Sequence, residues 1–222
     1  MTAGVGAKYT SLDGFQALWR RCLVKSASDD STSIHQYLLK AFAEPQRFYH
    51  NLTHIEHCLA MFDQVKHLID RPDTVELAIW MHDVVYQPGA RDNESLSVKW
   101  YRDIAGSAQD PELMQLVCRL ITATLHDDSP LEDEDACYMV DIDLSSFGMP
   151  WDQFLRDSLN LRRENPQITD QEYYRNQGKF QQLLLVRERF YRSDYFFQHY
   201  EKQARDNLAR YFEYVSTELN AG

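Results

Sequence analysis

The sequence predicts an all-α protein on three observations. Apolar residues recur at helical spacing along nearly the whole chain, no stretch alternates apolar and polar residues as a half-buried strand does, and glycine (8) and proline (7) are sparse among 222 residues. Hydrophobic residues make up 44% and charged residues 26%, an ordinary globular balance, and aromatics at 13% argue against disorder. The length fits one large domain or two small ones. With no internal repeat and no Pro/Ser/Gly linker, a single helical domain is expected. Its core would span about residues 48–150, with C-terminal helices over about 151–219 packing on it.

Each helix has its own signal. Phe15, Leu18, Trp19, Cys22 and Leu23 mark the first, and Ile34, Leu38, Ala41 and Phe42 the second, with Ser31 or Ser33 as its cap. Ile55, Cys58, Leu59, Phe62, Val65 and Ile69 mark a third, capped by Thr53. Residues 73–85 are apolar nearly all round, as in a central buried helix. Asp92, Asn93 and Glu94 open the next helix and Gly106 closes it. Asp110 and Pro111 are a cap followed by proline at the first helical position, leading to Thr124. Ala136, Met139, Val140, Asp143, Leu144 and Phe147 then keep one helical face. Trp151 begins a helix to about Arg163, Thr169 and Glu172 form a capping box before a helix to about Tyr191, and Ser193 caps the last one.

The net charge of −11 repels phosphate backbones and anionic lipid, which argues against a nucleic-acid polymer or a membrane surface as partner. Cys22, Cys58, Cys118 and Cys137 form no CxxC pair and read as thiols of a reducing cytoplasm. The first fifteen residues lack a basic region followed by an apolar run, which argues against a signal peptide. No run reaches the roughly 18 apolar residues of a membrane helix. The aromatic C-terminal segment (Tyr191, Tyr195, Phe196, Phe197, Tyr200) could supply core or the face of a homodimer.

The chemistry lies in His82 and Asp83, adjacent within an apolar run. A buried carboxylate without a partner costs several kcal/mol. Either His82 pairs with it as a cation, or a metal ion takes both. His54 shares a helical face with Cys58 and Phe62, and Asp143 replaces a hydrophobe in the apolar stripe from Ala136 to Phe147, so both point inward. Three helices thus each direct an ionisable group at the core, and one shared divalent cation accounts for all of them. Two imidazoles and two carboxylates suit Mn, Fe, Zn, Ni or Co, and Mg less well. Asp141 is the alternative to Asp143, but its phase groups it with Cys137, Tyr138 and Ser145 on a more polar side.

The ordered set His54, His82, Asp83 and Asp143 resembles the HD superfamily of metal-dependent phosphohydrolases. The context resembles a branch of about 200 residues: residues 49–55 around the first histidine, 85–88 and 92–97 after the doublet, 141–148 around the last aspartate, and Glu201, Arg205, Asn207 and Leu208 near the end. The resemblance covers nearly the whole chain. It implies hydrolysis of a phosphate ester of a nucleotide or other small phosphorylated metabolite, with one or two metal ions activating water. On that reading Asp83 or Glu94 takes the proton of the attacking water, and His126 or His50 assists the leaving oxygen. In two-metal members a histidine of the connecting region serves a second ion, a role open to His126; its alternative is a solvated acid-rich turn with Asp127, Asp128, Glu132, Asp133, Glu134 and Asp135. Arg162, Lys179 and Arg205 are candidate substrate contacts, each with a structural alternative, and Arg187, Arg189 and Arg192 read as a solvated face. His35, His57, His67 and His199 read as structural or surface residues. The rival readings are an HD-type di-iron oxygenase and a non-catalytic module with a structural metal.

Overall fold

The structure, a computed structural model, describes residues 8–127, 130, 131 and 133–221. Asp128 and Glu132 of the acid-rich turn, and the first seven residues, lie outside them. The described chain is all-α: ten α-helices and no strand, with one lone bridge between Leu23 and Gln109. None of these helices is long and apolar enough to cross a membrane. The backbone divides into two compact units, residues 1–143 and 144–222.

The first unit holds α1 (Leu12–Cys22), α2 (Ser31–Phe42), α3 (Leu52–Val65), α4 (Pro72–Met81), α5 (Asn93–Ala105), α6 (Pro111–Ala123) and α7 (Glu134–Asp143). Helix α4 packs against α1, α3, α5, α6 and α7, so the helix that is apolar on all sides is also the central one. Leu77, Ala78, Ile79 and Met81 are fully buried, and Trp80 sits edge-on to Phe15 at 5.1 Å. Asp110 caps α6 as expected, accepting from Glu112 N at 2.8 Å. Two other caps differ. Asn51, not Thr53, caps α3 and accepts from Thr53 N at 2.8 Å. The residue before α2 is Asp30, with Ser31 already helical. Gly106 closes α5 at φ +45°, where a side chain is strained.

Helix α4 also ends earlier than the apolar run suggests. It stops at Met81; His82 is its C-cap and Asp83 lies in the turn beyond. The expected helix over residues 73–85 is corrected accordingly. A run apolar on all sides has no periodicity to mark its end, and the contacts that end it come from distant residues described below.

The second unit holds a 3-10 turn (Leu144–Gly148), then α8 (Trp151–Arg163), α9 (Asp170–Val186) and α10 (Asp194–Ala221). Thr169 caps α9, accepting from Glu172 N at 3.2 Å. That helix ends at Val186 rather than near Tyr191, because Arg187 is extended. The core is aromatic, with Phe190, Tyr191, Phe196 and Tyr211 at most 1% exposed. A Cβ on Gly148 would meet Tyr200 Cβ at 2.7 Å, so only glycine fits there. Arg187, Arg189 and Arg192 are half-buried, not a solvated face. Arg189 lies over the Phe197 ring at 4.1 Å and donates to Ser193 O.

Candidate metal centre

Three elements of the first unit bring the expected ligands together. His54 comes from the first turn of α3, His82 and Asp83 from the end of α4, and Asp143 from the last residue of α7. His54 and His82 are 4% and 2% exposed. His54 Nε2 lies 3.3 Å from His82 Nε2, 3.2 Å from Asp143 Oδ1 and 3.6 Å from Asp83 Oδ2. His82 Nε2 lies 3.1 Å from Asp83 Oδ2 and 3.5 Å from Asp143 Oδ1. His54, His82 and Asp143 form a group that could hold a metal ion, and Asp83 Oδ2 stands beside both imidazoles.

These spacings have a chemical meaning. An ion with bonds of about 2.1 Å has tetrahedral edges of about 3.4 Å and octahedral edges of about 3.0 Å. The five distances fall around those values. Hydrogen bonds alone serve the set poorly, because a carboxylate has only acceptors and a neutral imidazole has one N–H. The single proton of His82 is already aimed elsewhere: Nδ1 is 2.9 Å from Ile79 O and donates to it, which leaves the Nε2 lone pair facing the cluster.

Without a cation, protons must do the bridging. Burial opposes charge on His82, but Asp83 and Asp143 outweigh it and raise the imidazole well above its ordinary value. Burial likewise penalises both carboxylates. His82, His50 and His54 nevertheless bring Asp83 below the usual carboxylate range, and His126, His54 and His82 hold Asp143 well below it. Both aspartates are ionised at neutral pH, as metal ligands must be.

The other candidates fall into two groups. His126, Glu94 and His50 surround the cluster. His126 Nε2 lies 2.9 Å from Asp143 Oδ2, the oxygen turned away from His54, and its backbone is left-handed at φ 53°. A non-glycine residue there costs about 1–3 kcal/mol, a strain that persists only where the surrounding structure over-determines the backbone. Glu94, in the first turn of α5, is raised by burial and further by Asp83 and Asp143. His50 stacks on Tyr86 with centroids 4.1 Å apart, and its charge acts on Asp83. Asp141 is fully buried and stands outside the group of His54, His82 and Asp143 that could hold a metal ion.

Arg162, Lys179 and Arg205 belong to the second unit. Arg162 is paired with Asp170 at 2.6 Å and donates to Asn165 O and Ile168 O. Arg205 pairs with Glu201 at 2.6 Å and donates to Leu185 O and Arg187 O. Both guanidinium groups tie loops to helices; Lys179 is exposed on α9.

Several residues of the centre escape a reading of the sequence. Arg47, buried in the loop before α3, donates to Asp83 O at 2.6 Å, Val84 O at 3.0 Å and His50 O at 3.2 Å. Ser97 Oγ accepts from Val85 N and donates to Val85 O, and the Asn93 amide does the same for Gln87. Residues 92–97 therefore pin the segment that follows the doublet. The available signal was a set of polar residues on a helix start, which reads equally well as capping. Asp135, expected on a solvated turn, is 2% exposed and accepts from Asp70 N and from Arg71 N and Nε. His57 is half-buried, and burial lowers its imidazole to about 4, so it stays neutral beside His54.

Comparisons with protein-family models, curated proteins and solved structures found no match to this chain.

Proposed function

We propose that this protein is a metal-dependent phosphohydrolase of the HD type, which cleaves a phosphate ester of a nucleotide or another small phosphorylated metabolite. Five donor–donor distances of 3.1–3.6 Å among His54, His82, Asp83 and Asp143 carry the reading. The borderline ions Mn, Fe, Zn, Ni and Co fit this mixed set of nitrogen and oxygen donors. When bound, such an ion acidifies a water molecule and polarises a phosphoryl oxygen.

The chain's own residues supply the rest. Glu94, raised by burial and by its anionic neighbours, is suited to take a proton from water. His126 holds the outer oxygen of Asp143 and fixes that carboxylate's orientation. His50, stacked on Tyr86 and close enough to Asp83 for their charges to interact, is the candidate to protonate the departing alkoxide. Water oxygen bonds to phosphorus, the ester P–O bond breaks, and the alcohol leaves with the proton.

The di-iron oxygenase stays as a second reading on one observation. Asp143 turns Oδ1 to the two histidines of the cluster and Oδ2 to His126, as a carboxylate shared between two ions would. The two readings part on one experiment. The protein, supplied with Mn, is assayed for phosphate release on a panel of phosphomonoesters and nucleotides, beside Asp83→Ala. Phosphate release by wild type alone supports the hydrolase. Inactivity on the whole panel, with two irons per chain, supports the oxygenase.

A further inference from the structure

We infer that Arg47 is a positioning residue for the metal centre: it sets the spacing between the two chain segments that carry His54 and the His82–Asp83 doublet. The inference rests on the metal-binding reading and is independent of the reaction catalysed.

Its side chain is 1% exposed, whereas its carboxylate partner Glu44, at 3.0 Å, is 43% exposed. A charge that deeply buried and held by a half-solvated partner is costly unless other groups solvate it. Three carbonyls do so, and they come from two places in the chain. Nη1 donates to Asp83 O at 2.6 Å and to His50 O at 3.2 Å, and Nη2 donates to Val84 O at 3.0 Å. The guanidinium lies 5.5 Å from the Tyr86 ring centroid and 5.6 Å from that of Phe42.

Each contact has a local reason. The carbonyls of Asp83 and Val84 lie just past the end of α4, where the helix dipole favours a cation. Donors at both carbonyls fix the peptide planes on either side of Val84. That sets the direction of the Asp83 Cα–Cβ bond and hence the place of Oδ2, 3.1 Å from His82 Nε2. The same Nη1 holds His50 O, in the segment that enters α3 and reaches His54 four residues later. One planar fork therefore couples the start of α3 to the end of α4. The 3.3 Å between His54 Nε2 and His82 Nε2 depends on that coupling. Lysine carries its donors on one nitrogen and lacks the second arm that reaches Val84 O, so it would hold the segments less completely.

Co(II) is the probe, because its visible bands report coordination geometry as well as occupancy. Wild type, Arg47→Lys and Arg47→Met are titrated with Co(II) at a temperature where circular dichroism shows each folded. Loss of positioning weakens binding by about 10–100-fold in Arg47→Met, with a smaller loss in Arg47→Lys, and changes the band pattern in both. A purely structural Arg47 would lower the melting temperature and leave dissociation constant and spectrum at their wild-type values; that result overturns the inference. If Arg47→Met does not fold, Arg47→Lys decides alone, and wild-type binding with a wild-type spectrum overturns it. If wild type itself takes up no Co(II), the metal reading falls and takes this inference with it. A wild type that binds Co(II) but hydrolyses nothing leaves Arg47 to be judged on binding alone.

Discussion

In the second unit, Glu201 accepts from Phe190 N, Tyr191 N and Arg205 Nε, and Asn207 Nδ2 donates to Phe147 O and Met149 O. Donor meets acceptor at each contact, and the polar groups stitch loops onto α10. In the first unit the two Nε2 atoms face each other at 3.3 Å, with two carboxylate oxygens 3.1–3.6 Å from them, and a neutral His82, whose proton goes to Ile79 O, brings no N–H to the cluster. Buried polar groups alone therefore say little about function; the sign of what surrounds them says more. A network that balances its own hydrogen bonds is structure, while one with surplus lone pairs calls for a proton or a cation from outside.

Four outcomes would sharpen or break that contrast, the largest first. Asp83→Ala removes a ligand, so Mn binding measured calorimetrically should weaken by more than about 100-fold. Unchanged binding would remove Asp83 from the centre. Acidification comes next. His82 is raised above its ordinary value in the metal-free protein, so a metal must displace its proton. The apparent metal affinity should fall by up to about tenfold per pH unit below that raised value and level off above it. Titrations at several pH values check this, and an affinity indifferent to pH would contradict it.

In the balanced network, Glu201→Ala strips the acceptor from Phe190 N–H and the partner from Arg205. It should destabilise by about 3 kcal/mol in denaturant unfolding and leave metal content unchanged. A matching loss of metal would blur the distinction between the two networks. His126→Gly is the smallest case. It relieves the φ of 53°, so stability should hold or rise by about 1 kcal/mol, while metal binding weakens by about tenfold. Lost stability would mean that the strain serves packing.

The parts legible in the sequence were those with local causes. Asp110 and Thr169 cap the helices they announce, because a cap needs only its own backbone two or three residues on. His54 is buried with Cys58 and Phe62 because they share one face of α3. The parts not legible have distant causes. The end of α4 is set by Arg47, 36 residues earlier in the chain from Asp83, and by Ser97, 12 residues after Val85. The cap of α3 was missed because Asn51 and Thr53 are both capping types, two residues apart. Asp135 looked solvated among acidic neighbours until Arg71 and the backbone of residue 70 enclosed it.

The central claim is that the surplus of lone pairs around His54 and His82 is met by a divalent ion. Elemental analysis tests it most directly, on wild type and Asp83→Ala dialysed against Mn and then against metal-free buffer. The account predicts at least about one ion per wild-type chain and almost none in the variant. A wild type that retains no divalent ion under any condition would contradict it, and His82 and Asp83 would then be a proton-bridged ion pair inside a structural core.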